Sequence, residues 1–221
     1  MSLSIINLNK SFQDLDTINC ILGPSGCGKT TLLNLISKAT KADQGNFQGF
    51  EHKTISYIFQ EPRLLPWKNV RANISFVLNH IKTTKEKQKI ADKYIRLVEL
   101  YGFENYYPSE LSGGMKQRVA IARAFSYPSD LILMDEPLKA LDLKLKLNLI
   151  RSFRNLWQTD KRTVIFVTHD IDEALLLGNN IYVFSKAPAK IKERFSLGTA
   201  ERSLNSIEIK EIKNKIWEVM D

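Results

Sequence analysis

The segment GPSGCGKT, Gly23 to Thr30, lies between an apolar stretch and a helical one. It satisfies the pattern G-x-x-x-x-G-K-[ST], in which glycines let the backbone curl round phosphate oxygens with successive amides pointing inward. The cradle comprises Gly23, Pro24, Ser25, Gly26, Cys27 and Gly28, followed by Lys29 and Thr30. Lys29 is expected to pair with the β- and γ-phosphates of a nucleoside triphosphate and the Thr30 hydroxyl to ligate magnesium. Thr31 opens a helix whose N-terminus favours anions. A chance match in a chain of this length has a probability of roughly 1% at average residue frequencies.

Such a loop serves kinases, GTPases and transport motors alike, so a second group must narrow the chemistry. The run LILMDEP, Leu131 to Pro137, reads as a buried strand ending in two acids. Asp135 at the strand end can hold magnesium through its hydration shell. Glu136 points the other way and can polarise a water for in-line attack on a γ-phosphate. At Leu111 to Arg118 the chain reads LSGGMKQR. Ser112 is suited to cap the following helix, and Gly113 and Gly114 permit close backbone approach. That makes a second anion-binding helix N-terminus, and one triphosphate does not need two within one subunit.

These groups need strands and helices to position them. Strands are expected at Leu3–Leu8, Ile18–Leu22, Ile55–Phe59, Leu131–Met134, Thr163–Thr168 and Ile181–Phe184. Helices are expected at Thr30–Ser37, after Ser112, at Leu143–Trp157 and from Ile171. Val70 to about Tyr101 also reads as helical, with lysine-rich joints near Thr83–Lys89. Strands alternating with helices, several apolar throughout, indicate an α/β fold with a largely parallel sheet covered on both faces. The tail, Ser206–Met220, spaces Ile209, Ile212, Ile216 and Val219 at helical intervals and is expected to dock on its own domain. No apolar run approaches the roughly 18–20 residues of a membrane span, and the N-terminus lacks a signal-peptide design, so the chain is expected in the cytosol. Cys20 and Cys27 make neither a disulfide framework nor a zinc pattern. The net charge of +8 comes from scattered lysines, many beside acids, which is mostly a solvated face, so net charge alone decides nothing.

Taken together, the motifs resemble the ATPase subunit of an ABC transporter, whose signature motif LSGGMKQR matches. The other motifs of that family occur in its order. Gln60 matches the Q-loop, a magnesium and water contact that also couples to the membrane partner. Ala140, Leu141 and Asp142 match the D-loop, and His169 in FVTHD matches the switch histidine at the γ-phosphate. The resemblance covers nearly the whole chain, residues 1–221. It implies a P-loop NTPase with a mostly parallel core sheet, a small N-terminal antiparallel β part and a helical subdomain. Residues 1–69 and 109–221 would form the catalytic core and about 70–108 the helical subdomain. It further implies ATP and Mg2+ as ligands, with Glu136, His169, Gln60 and Lys29 catalytic and Thr30, Gln60 and Asp135 at the metal. Two copies would pair head to tail, each ATP lying between one phosphate loop and the other copy's Leu111, Ser112, Gly113, Gly114, Met115, Lys116 and Gln117. The expected partners are two membrane permease subunits and a separate substrate-binding protein, with no nucleic acid. The chain would lie in the cytoplasm, peripheral on the inner face of the membrane.

A narrower resemblance follows Gln60. QEPRLLPWKNVRANISF and THDIDEALLL are similar to ATPases of nitrate, aliphatic-sulfonate and taurine importers, and importers of thiamine-precursor pyrimidines share the style. Leu64, Leu65, Pro66 and Trp67 form an apolar cluster, either core or a cleft for a permease helix. Three departures stand out. Eleven positions separate Phe12 from Gly23, about half the family's usual interval, so a β-hairpin is missing before the aromatic that would stack on adenine. Lys139 replaces a common glycine, with only a local effect expected. Asn179 and Asn180 replace an Asp-Arg pair, removing a customary ion pair. A soluble ABC ATPase with a nucleic-acid or assembly role is the competing class, and the transported molecule is unreadable because it does not touch this subunit.

Overall fold

The computed structural model describes residues 16–43, 49–50, 52–139, 141–198, 200 and 202–220. Strand β1, Ile18–Leu22, is buried along its whole length, as its unbroken INCIL run requires. It lies between β4, Thr163–Thr168, and β5, Asn180–Phe184, parallel to both. Beyond β4 come β3, Leu131–Asp135, and β2, Ile55–Ile58, also parallel. The sixth strand, β6, Ile191–Ser196, pairs antiparallel with β5, giving the order β2-β3-β4-β1-β5-β6. Sequence reading missed β6, because in IKERFS only Ile191 and Phe195 turn partly inward. Its exposed Lys192, Glu193 and Arg194 blunt the sheet edge against further strand pairing. The expected strand Leu3–Leu8 lies outside the described residues.

Alternation along the strands divides the apolar side chains between two faces. On one face Ile21, Leu131, Leu133, Ile165, Val167, Tyr182 and Phe184 pack against Leu32, Leu33 and Ile36 of α1, Lys29–Ile36. On the other, Cys20, Leu22, Ile132, Met134, Val164, Phe166 and Val183 meet the longer helices. These are α4, Gly113–Ser126, α5, Leu143–Thr159, α6, Ile171–Leu177, and α7, Ile207–Met220. The tail helix α7 docks on the domain, burying Ile209 and Ile216 while Lys213 pairs with Asp172.

Helices α2, Val70–Ser75, and α3, Thr84–Leu97, pack with α4. The break between them falls before Thr83 rather than at Thr83–Lys89. Thr83 caps α3 through Glu86 N and donates back to the Glu86 carboxylate at 2.8 Å, so the lysine-rich stretch begins a helix. Its lysines form the wet face opposite buried Ala91, Tyr94 and Ile95. Tyr94 anchors α3 to the end of α5 by donating to Asp160 at 2.7 Å, and Arg162 pairs with the same carboxylate.

Asn179 and Asn180 form an amide network. Asn179 accepts from Ile18 N at 2.8 Å and donates to Gly198 O, while Asn180 joins Asn19 to Arg194. These bonds tie β1, β5 and β6 together without buried charge on β1 or β5.

Candidate functional site

Because β1 to β5 run parallel, their C-terminal ends share one edge of the sheet. The register sets Leu22 beside Thr168 and Asp135 beside Val167. Gly23 N then donates to Thr168 O and Glu136 N to Val167 O, stitching the loops after β1 and β3 to β4. Such an edge is where α/β sheets bind ligands.

The loop after β1 is shaped by its glycines. Gly26 and Gly28 hold φ of 79° and 103°, backbone that other residues adopt only at a cost. A Cβ on Gly23 would stand 3.0 Å from Phe184 Cβ and 3.1 Å from Cys27 Sγ. Burial pushes the Cys27 thiol up despite nearby Lys29, so the thiol is a packing element under the loop. Lys29 is buried, and its ammonium donates to Gly23 O at 2.8 Å and Pro24 O at 2.9 Å. Thr30 lies exposed at the start of α1, and its Oγ1 donates to Asp135 Oδ1 at 3.0 Å. Burial raises the Asp135 carboxyl above its usual range, Glu136 adding to this while Thr30 and Lys29 oppose it. Tyr57 of β2 shares the site: burial, then the charge of Asp135 and a hydrogen bond to it, hold the phenol protonated. A hydroxyl beside a carboxylate is an oxygen donor set that fits Mg2+.

Glu136 follows with φ of 41°, a left-handed conformation uncommon for glutamate. Its Oε1 lies 3.9 Å from Lys29 Nζ and 3.4 Å from His169 Nδ1. Its Oε2 lies 2.7 Å from Lys139 Nζ. Burial works against the charged form, yet Lys139 and His169 outweigh it and hold the carboxyl below its usual value. The effect of Lys139 is local, within its own turn, but it falls on Glu136.

His169 stands at the end of β4, and a polar cluster that sequence reading missed fixes its turn. Thr168 Oγ1 donates to Glu173 Oε2 at 2.6 Å and accepts from Asp170 N. Asp170 caps α6 through Asp172 N and Glu173 N. Lys146 reaches across from α5 to Asp170 at 2.7 Å and Glu173 at 2.6 Å. Its spacing in an amphipathic helix gives no hint of this; only the fold sets it over α6.

The remaining sequence candidates are placed as follows. Gln60 is exposed just beyond β2, on the same sheet edge as Glu136. Ser112 caps α4 by accepting from Met115 N, and Ser112 and Gly113 are exposed above buried Leu111 and Gly114. Met115 and Lys116 are half-buried, and Gln117 is buried with its amide 3.5 Å from Phe59 O, next to Gln60. Among the described residues, the side-chain hydrogen bonds of Ser112 and Gln117 do not run to the Gly23–Thr30 loop. Leu141 packs against the core and Asp142 caps α5 through Leu145 N. Phe12 and Ala140 lie outside the described residues.

Comparison with known proteins agrees with this geometry. Residues 11–139 match the ABC transporter family. The chain is 41% identical to an aliphatic sulfonates import ATP-binding protein of Bacillus cereus, covering 95% of this chain and 85% of that protein. It is 38% identical to a nitrate import ATP-binding protein of Synechococcus elongatus, covering 85% and 71% respectively. An ATP-binding cassette solved as a dimer in a post-hydrolysis state with ADP and Pi superposes with a TM-score of 0.68. It is 30% identical, over 82% of this chain and 86% of that one. The phosphate loop, the acid pair and the capped glycine helix thus lie in a chain that the family match and its relatives cover over most of its length, and the chain belongs to the ABC transporter family as one of its ATP-binding proteins.

Proposed function

We infer that this chain is the ATP-hydrolysing subunit of an ABC importer that powers uptake of a small solute. The carrying observation is the separation of two anion-binding ends. Lys29, Thr30, Asp135, Glu136 and His169 converge at the sheet edge, while the capped N-terminus of α4 is exposed and bonded elsewhere. An exposed second cradle fits an ATP completed by the LSGGMKQR segment of a second copy. On this reading residues about 70–108 form the helical subdomain that carries the lead-in to the second cradle, and 1–69 with 109–221 form the catalytic core.

In the reaction, the Gly23–Gly28 amides and Lys29 bind the β- and γ-phosphates. Thr30, Asp135 and Gln60 would hold Mg2+, which neutralises phosphate charge when bound. Glu136 Oε1 accepts a proton from the attacking water, and His169, beside that oxygen, contacts the γ-phosphate. Purified protein is expected to hydrolyse ATP only with Mg2+ present, at a rate per subunit that rises with protein concentration. Absence of hydrolysis both alone and with a bound permease would overturn the reading.

What supports import over a soluble nucleic-acid or assembly role is that relatives spanning most of the chain are import proteins. The solute would be of the sulfonate, nitrate or pyrimidine-precursor kind. The partners would be two permease subunits and a separate binding protein, with this chain on the cytoplasmic face of the membrane. No helix among the described residues is long and apolar enough to cross a membrane. The permease surface is read at Leu64–Trp67. Trp67 is 70% exposed and Pro66 is exposed too, while Leu64 packs against the core, so the cluster is not simply core. Buried Asn73 holds its backbone, accepting from Leu65 N and donating to Leu65 O, Lys68 O and Asn69 O. Trp67→Ala should lower transport roughly tenfold, the loss expected for an aromatic interface anchor, and leave soluble ATPase activity within about twofold. Transport assays in vesicles check this, and undiminished uptake would remove the interface role.

A further inference from the structure

The turn after β3 closes through Lys139 N donating to Glu136 O at 3.3 Å, which brings the Lys139 side chain back over the acid three residues earlier. Glu136 Oε2 is out of water, and the Lys139 ammonium stands 2.7 Å from it. That approach lies off the direction of a good hydrogen bond, so the attraction is mainly ionic. The other oxygen, Oε1, faces Lys29 and His169, the groups placed for the γ-phosphate. The two oxygens therefore have different tasks. A carboxylate free to rotate about its terminal bond would present either oxygen to the water, because such torsions are broad. A cation on one oxygen removes that freedom and leaves the other aimed at the phosphate side.

We propose that Lys139 is a positioning residue for hydrolysis, which anchors Glu136 Oε2 so that Oε1 is presented to the attacking water. The side chain is itself exposed, and the ion pair it makes among the described residues is with Glu136, through which it acts. The left-handed backbone at Glu136 adds a second constraint on the same carboxylate. The inference rests on Glu136 being the base, as proposed above.

The test compares Lys139→Met, which keeps the length and loses the charge, with Lys139→Arg in the full-length chain. Steady-state ATPase kinetics are measured beside ATP-dependent dimerisation by size-exclusion chromatography in MgATP. Lys139→Met is expected to lower kcat ~10-fold, the scale of a small misplacement of a reacting group. KM should stay within about twofold, and an ATP-bound dimer should outlast that of the parent. Lys139→Arg should recover kcat to within about threefold, since its guanidinium can occupy the same oxygen. A kcat for Lys139→Met within about twofold of the parent, or above it, overturns the proposal. So does a loss shared by kcat and nucleotide affinity that arginine does not rescue, which marks a structural role. Glu136→Gln, run alongside, separates the two levels. Retained turnover there removes the base assignment itself, whereas its loss with unaffected Lys139→Met removes only the positioning role.

Discussion

Glu136→Gln is expected to lower kcat for ATP hydrolysis by about 10²–10⁴, the range for removing a positioned general base, while ATP binding persists. The side chain is nearly isosteric, and the amide keeps one oxygen for the contact with Lys139 or His169. The backbone also needs no change: Glu136 N still reaches Val167 O. What is lost is the capacity to accept a proton from water. A negative charge facing the γ-phosphate is also lost, so the ATP-bound state gains by the removal of a like-charge repulsion. An ATP-bound dimer that persists on size-exclusion chromatography is the accompanying result. Near-normal turnover would sink the assignment, and loss of nucleotide binding would place the residue in the fold instead.

Lys146→Met should give the largest fall in stability. Glu173 is only 2% exposed, and without the ammonium its charge retains the Thr168 hydroxyl but no cation at 2.6 Å. Removing one partner of a buried pair costs about 3–5 kcal/mol. At roughly 2–4 °C per kcal/mol for a chain of this size, the melting temperature should fall by about 6–20 °C. The pH dependence follows from the directions of the shifts. Burial works against the charge of Asp170, but Lys146 and the amides of Glu173 and Asp172 outweigh it and hold the carboxyl low. Its stabilisation is then complete above the ordinary carboxylate value of about 3.9 and is lost as pH falls through the lower folded value. Burial likewise opposes Lys146, and Asp170 and Glu173 outweigh it and raise the amine. That contribution is complete below about 10.4 and is lost as pH rises through the higher folded value. Neither contribution is lost in the parent from about pH 5 to 9, so thermal melts in that range should show the parent above Lys146→Met throughout. A difference under about 0.5 kcal/mol, the usual scale for surface positions, would show that the cluster does not hold the turn.

The parts of this molecule legible in its sequence are those where residue type and local geometry coincide. The strand INCIL is buried because it is apolar throughout, and GPSGCGKT bends because its glycines reach positive φ. Ser112 caps α4 as its place before two glycines suggested. Parallel pairing then brings Asp135 and Thr30 together across 105 positions of chain. The illegible parts depend on what a side chain meets after folding. Lys146, one polar residue in an amphipathic helix, closes the cluster behind His169 only because α5 crosses α6. Lys139 reads as a substitution in a turn, and its reach to Glu136 follows from a left-handed residue at the turn's start. Edge strand β6 escaped notice because charge, its protection against pairing, also hides it.

The Lys29 ammonium already holds two carbonyls of its own loop, at 2.8 and 2.9 Å. Loading the nucleotide therefore involves an exchange of partners, since three N–H donors cannot serve two carbonyls and two phosphates at once and at least one of those bonds is released as phosphate is taken. Titration calorimetry should accordingly register less heat than a count of new phosphate contacts suggests. A loop that supports itself in this way can be emptied after each turnover without losing its shape.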